Sequence, residues 1–150
     1  MTKTILNFTL IFILASFNIK GQDSAKPLEW KSYYKDDKVE ISYKYADCNI
    51  PNEGISEENV YLKFVNNTEN NISVQYEQEF HFGNKCYNCE GGNYEHTKRV
   101  VLKPSQTIEG TCDISTGQEL KIFSKFNNMA NKSVLVDFKI KNIVIKEINN

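Results

Sequence analysis

Four cysteines and two histidines are the residues best suited to chemistry in this chain of 150. Cys86-Tyr87-Asn88-Cys89 lies between His81 and His96, with Cys48 and Cys112 farther out on either side. A Cys-x-x-Cys pair can do three things. Oxidised, it closes a local disulfide. As thiolates, it supplies one corner of a tetrahedral zinc site, completed here by Cys48, Cys112 or a histidine such as His96. At a helix N-terminus, where the helix dipole lowers a thiol pKa, it exchanges disulfides. Glu90 and Gly91-Gly92 make a poor helix start, and no βαβ pattern surrounds the motif, which argues against thiol exchange.

Other chemistry is thinner. Glu77 and Glu79 stand about 7 Å apart if they share one face of a strand. Glycosidase carboxylates can have that separation, but polar strand faces produce such pairs routinely. The acids between Asp47 and Glu58 match no EF-hand spacing and read as a solvated loop. No Ser-His-Asp order and no glycine-rich phosphate loop stands out. We therefore expect no catalytic residues and no cofactor.

Whether the sulfurs meet depends on the elements that carry them. Ile72 to Phe82 is the clearest of these. Its even positions are Ile, Val, Tyr, Gln, Phe and Phe, and its odd positions are all polar. Successive side chains of a strand point to opposite faces, so this is a half-buried strand. Val39–Tyr45 alternates in the same way. Asp47–Asn59 reads as a loop, and Val60–Asn66 as a strand with Val60, Leu62 and Phe64 inward. The Asn-rich turn that follows makes residues 60–82 a hairpin. Thr97–Leu102 and Thr107–Cys112 read as short strands. Leu120, Ile122 and Phe126 share a face of the next. Val134, Val136, Phe138 and Ile140 line the last strand, which shifts to Ile143 and Ile145 through a bulge at Lys141-Asn142.

If each strand reverses the one before, all four cysteines reach the same end. The simplest arrangement is then a long Cys48–Cys112 bridge and a local Cys86–Cys89 bridge. The former would contribute on the order of 3–5 kcal/mol by constraining the unfolded chain. The two other pairings of four cysteines stay open, as does zinc.

The N-terminus decides the compartment. Lys3 precedes an apolar run from Ile5 to Phe17, and Lys20-Gly21 follows. This is the layout of a secretory signal peptide, residues 1–21, and the run is shorter than the roughly 20 residues of a membrane span. Export favours disulfides over metal. Of 18 basic residues, losing Lys3 and Lys20 leaves 16 against 19 acidic ones, a net charge of −3. Arg99 is the one arginine, so nucleic acid is not an expected partner. Residues 22–37 read as a flexible leader in which Trp30, Tyr33 and Tyr34 dock on the domain, and residues 38–150 as that domain.

Several short alternating strands and no helical period make the fold class all-β, an antiparallel β-sandwich of about seven strands. The stretch from Tyr61 to Phe80 (YLKFVNNTENNISVQYEQEF), with Leu102–Gly110 (LKPSQTIEG), resembles the strand–turn–strand and corner of immunoglobulin-like domains. The chain also resembles small exported proteins of Bacteroidetes-type bacteria, whose function is unassigned. The resemblance implies a fold and no active site. The expected function is a non-enzymatic, exported binding or structural module for a protein or glycan. An inhibitor or immunity-type protein is a specific form of it, and an enzyme at the cysteines the alternative. Loops at one end of a sandwich usually bind, so Tyr87, Asn88 and Tyr94 are the candidate contact residues.

Overall fold

In the computed structural model, residues 26–113, 115–130 and 133–148 are described. The expected signal segment, residues 1–21, lies outside them. Among the described residues nine strands run in chain order: β1 (Lys31–Lys35), β2 (Val39–Ile50), β3 (Ile55–Asn66), β4 (Ile72–Phe82), β5 (Lys85–Tyr87), β6 (Thr97–Leu102), β7 (Thr107–Glu109), β8 (Lys121–Phe126) and β9 (Leu135–Glu147). Among the described residues no helix is long and apolar enough to cross a membrane.

Two antiparallel sheets divide these strands. The first has the order β1-β2-β3, with β7 and β8 both on the far edge of β3. The second is built on β4, with β9 on one edge and β5 and β6 on the other. The two sheets share a plan. In each, two short strands run the same way along one edge of a long strand, and the chain between them leaves the sheet. Residues 88–96 make that excursion between β5 and β6, and residues 110–120 between β7 and β8. The seven runs read from the sequence overlap β2, β3, β4, β6, β7, β8 and β9; β1 and β5 were not among them.

Several pairings differ from those expectations. β3 and β4 lie in different sheets, so residues 60–82 are not a hairpin and the Asn-rich turn crosses between layers. The hairpin is β2–β3, in unbroken register from Val39↔Asn66 to Ile50↔Ile55. Most of the expected loop from Asp47 to Asn59 is therefore strand, closed by a short 3-10 turn with Gly54 at φ 66°. In the immunoglobulin arrangement the second and third strands belong to opposite sheets. Here β2 and β3 are hydrogen-bonded neighbours. Within the expected leader, Lys31–Lys35 is a strand, with Lys31 opposite Tyr43 and Lys35 opposite Glu40.

The core lies between the sheets. Val39, Ile41, Val60, Leu62, Phe64, Ile72, Val74, Tyr76 and Leu102 are fully or almost fully buried there. Tyr33 and Tyr34 pack against it, as expected, whereas Trp30 sits between Lys44 and Lys63 on the outer face of the first sheet. Tyr33 has a further role. Its hydroxyl accepts from the Ile140 amide at 2.8 Å and donates to the Ile140 carbonyl at 3.3 Å. It thereby satisfies backbone groups that the edge strand β9 would otherwise leave unpaired.

Bulges re-aim three apolar residues. Registers shift between His81 and Phe82, which puts Leu135 in the core and leaves Val136 62% exposed. Another shift between Glu58 and Asn59 puts Ser124 inside and Phe126 outside, against expectation. The expected bulge at Lys141-Asn142 is present, with Asn142 at φ 53°.

Candidate functional site

The site grows from the outer face of β4. Inward residues of this strand are even-numbered, so Glu77, Glu79 and His81 point out. Antiparallel pairing sets Lys141 opposite Glu77, Lys139 opposite Glu79, and both Asp137 and Cys86 opposite His81. Cross-strand neighbours have their Cβ atoms about 5 Å apart, within reach of long side chains. Lys139 Nζ donates to Glu79 Oε1 at 2.7 Å, and Lys141 Nζ to Oε2 at 2.9 Å. His81 Nε2 lies 2.8 Å from Glu79 Oε1 and 3.6 Å from Cys86 Sγ.

The excursion after β5 folds over this row. Lys141 Nζ also donates to the carbonyls of Asn88 at 2.8 Å and Cys89 at 3.1 Å. Asn88 Nδ2 donates to the Gln78 carbonyl at 2.9 Å. Asn88 takes φ 61°, a left-handed turn that asparagine tolerates. Gly91 passes so close that a Cβ there would stand 3.2 Å from Glu77 Oε2, an oxygen without a hydrogen-bond partner among the described residues. Glu79, polar on a face expected to be wet, ends up 5% exposed. Hydrogen bonds from Lys139, His81 and Lys141, in that order, hold its carboxyl down at about 2, from an ordinary 4.5.

That shift has a sign. A carboxyl held below its ordinary value stabilises the fold above that value and loses the contribution as pH falls through the folded one. Glu79→Gln should therefore lower stability at pH 7 by roughly 1–2 kcal/mol, discounted because Lys139 is half in solvent. Between about pH 4.5 and 2 the native chain should lose stability faster than the variant, and the two should converge. Urea melts at stepped pH measure this. Parallel curves across that window would contradict it.

The cysteines sit at disulfide distance in two pairs. Cys48 and Cys112 have Cα atoms 5.2 Å apart, and Cys86 and Cys89 6.0 Å apart. All lie toward the end where β2 turns into β3, but they form no single cluster. Cys48 is on the outer face of the first sheet, 1% exposed and held against Cys112. Cys86 is on the outer face of the second. The expected zinc alternative of Cys86, Cys89 and His96 is not assembled either. The His96 ring packs edge-on against Phe80, an inward-facing residue, with centroids 5.4 Å apart. His81 stands at the sulfurs instead. Glu79, His81, Cys86 and Cys89 have donor atoms within 4.8 Å of one another. In the sequence Glu79 stood out only as half of the Glu77/Glu79 carboxylate pair and not as a partner of the cysteines, because only the lysines of β9 and the covering loop set it apart from other strand carboxylates.

The three candidate contact residues also separate. Tyr94 is 91% exposed and Tyr87 39%. Asn88 is half-buried, its Nδ2 donating to the Gln78 carbonyl and its Oδ1 accepting from Asn93 N at 3.3 Å. Around Tyr87 runs a feature that the sequence did not reveal. Tyr87, Phe82, Phe123 and Phe126 form a ladder across the gap between the sheets, with successive centroids 6.0, 6.4 and 4.8 Å apart. Below it opens a groove of about 330 Å³ floored by Phe80, Ile122 and Phe123. The opposite seam, between β2 and β9, holds a groove of about 450 Å³ lined by Tyr33, Tyr43, Tyr45 and Phe138.

No protein-family model matches the chain, and neither a curated protein nor a solved structure matches it.

Proposed function

We propose that this chain is a non-enzymatic, exported binding module that docks a protein partner through the aromatic end of its sandwich. The ring ladder carries this reading. Phe126 is 42% exposed, Met129 in the next turn 56%, and Tyr94 almost fully. Large apolar side chains at one end of a domain mark a contact surface, and aromatic residues dominate the energetics of such surfaces. Tyr94 projects from an excursion tied down by Lys141 and the cysteine pair, a rigid presentation that lowers the entropy cost of binding. An inhibitor or immunity-type protein, whose projecting tyrosine enters a partner's cleft, is the form that best fits this shape. The apolar run after Lys3 and the cysteine pairs support export to the periplasm or beyond the cell.

Photo-crosslinking tests it. A photoreactive residue at Tyr94 or Phe126 should give one discrete adduct in an envelope or culture-fluid extract. The same residue at Lys103, exposed at the opposite end, should give none. Tyr94→Ala with Phe126→Ala should weaken capture of the adduct's protein at least tenfold without moving the melting curve. Adducts from both ends alike, or from neither, would defeat the proposal.

A further inference from the structure

We propose that opening the Cys86–Cys89 bond converts this corner into a zinc site with Cys86, Cys89, His81 and Glu79 as ligands. The inference is independent of the aromatic docking surface.

Geometry argues first. Zinc bonds of about 2.3 Å to sulfur and 2.0 Å to nitrogen place a thiolate and an imidazole about 3.6 Å apart around a tetrahedral ion. His81 Nε2 and Cys86 Sγ are already 3.6 Å apart. The four donors span at most 4.8 Å, so closing on an ion needs side-chain adjustments of about 1 Å. Two sulfurs, a nitrogen and an oxygen are a donor set that suits zinc.

The scaffold argues second. The loop is fixed to the sheet by contacts that owe nothing to the sulfur–sulfur bond: Asn88 Nδ2 on the Gln78 carbonyl, and Lys141 Nζ on the carbonyls of Asn88 and Cys89. Breaking the bond leaves the two sulfurs beside His81. Charge argues third. Two thiolates and one carboxylate around a divalent ion leave an excess negative charge, and Lys139 and Lys141 already border Glu79 to balance it. Zinc would take the place of His81 at Glu79 Oε1, and the lysines would keep the carboxylate oriented, as outer-shell partners of metal ligands do.

The chemistry balances with a dithiol reductant. Its two thiols give two electrons and two protons to the Cys86–Cys89 bond and leave as a disulfide. Zinc then displaces one proton from each new thiol to solvent. The two pairs differ in access. Cys89 is exposed and Cys86 half-buried, whereas Cys48 is 1% exposed. Mild dithiol should open the first pair and spare the second.

The test uses the full chain treated with dithiothreitol until its mass shows two thiols. Native mass spectrometry should then find one Zn²⁺ per chain, and none after reoxidation. Co²⁺ in its place should show tetrahedral d–d bands and thiolate charge transfer. His81→Ala should weaken zinc at least tenfold and alter those bands. His96→Ala, on the far face, should leave both unchanged. Glu79→Gln should weaken zinc several-fold. Cys86→Ser with Cys89→Ser, which keeps the buried bridge, should take up none. Circular dichroism accompanies each variant. A folded two-thiol chain that ignores zinc overturns the proposal, as does equal uptake by the oxidised chain or an affinity indifferent to His81.

Discussion

Replacing Cys48 and Cys112 together by alanine should cost about 4 kcal/mol, the largest loss from any pair of substitutions we anticipate. The two are 64 residues apart in sequence. Closing a loop of that length removes about 4 kcal/mol of chain entropy from the unfolded state. The native state adds a further reason. Residues 110–113 and 115–120 lie between β7 and β8, and the bridge pins this crossing to Cys48 on the outer face of the first sheet, where Asn59 and Tyr61 are almost fully buried. Gly110 shows how close the crossing is: a Cβ there would stand 3.1 Å from a ring carbon of Tyr61. Freed of the bridge, the crossing is tied at its two ends, by Gly110 N to the Leu62 carbonyl at 2.9 Å and by the Tyr76 hydroxyl to the Glu119 carbonyl, and between them has short-range bonds such as Ser115 N to Asp113 Oδ1 and Thr116 Oγ1 to the Asp113 carbonyl. Calorimetry should show a melting point lower by roughly 10–20 °C. Cys86→Ser with Cys89→Ser, which opens a loop only three residues wide, should cost about 1–2 kcal/mol. Equal losses from the two pairs would refute the topological account.

Asn66→Ala should cost about 3 kcal/mol. This side chain, 1% exposed, knots the end of the sandwich opposite the cysteines. Its Nδ2 donates to the carbonyls of Asn70 and Lys103, both at 2.8 Å. Its Oδ1 accepts from Thr68 N and Thr68 Oγ1, both at 2.9 Å. Each bond contributes about 1 kcal/mol net, and truncation removes four at once, although the two carbonyls keep Thr68 Oγ1 and Gln106 N as donors. Asn66→Asp keeps the shape but turns the donor pair into an acceptor facing two carbonyls, so it should lose at least as much. Denaturant titration of both variants measures this. An aspartate variant as stable as the native chain would show that the donors contribute nothing. The sequence marks Asn66 only as the last residue of a strand before an Asn-rich turn. The fold makes it the tie between the turn after β3 and the end of β6.

Much of the architecture was legible because alternation is local. Ile72–Phe82 and Thr97–Leu102 coincide with β4 and β6 residue for residue. The break at Lys141-Asn142 was visible because a bulge must shift the apolar phase. Val136 and Phe126 misled because their bulges fall where the phase looks continuous. Asp47–Asn59 misled because it is polar on a face that the 110–120 crossing covers, so burial there leaves no apolar stripe. At the site, the cysteine pair was visible from its spacing, and the choice of His81 over His96 was not. Both stand near Cys86 and Cys89 in sequence, but His81 is on the outer face of β4 beside the sulfurs, whereas His96 ends the 3-10 turn before β6 and its ring packs on Phe80.

By itself, then, the sequence determined that this is an all-β chain, which side of most strands is oily, and that its chemistry centres on four sulfurs. Those properties follow from side chains two or three positions apart. Only the tertiary structure decided that β2 pairs with β3, that the Asn-rich turn spans two layers, and that Lys139 and Lys141 surround Glu79 beside His81 and Cys86. A strand's alternation says which face seeks the core and nothing about which strand lies beside it. That choice depends on packing the whole chain at once.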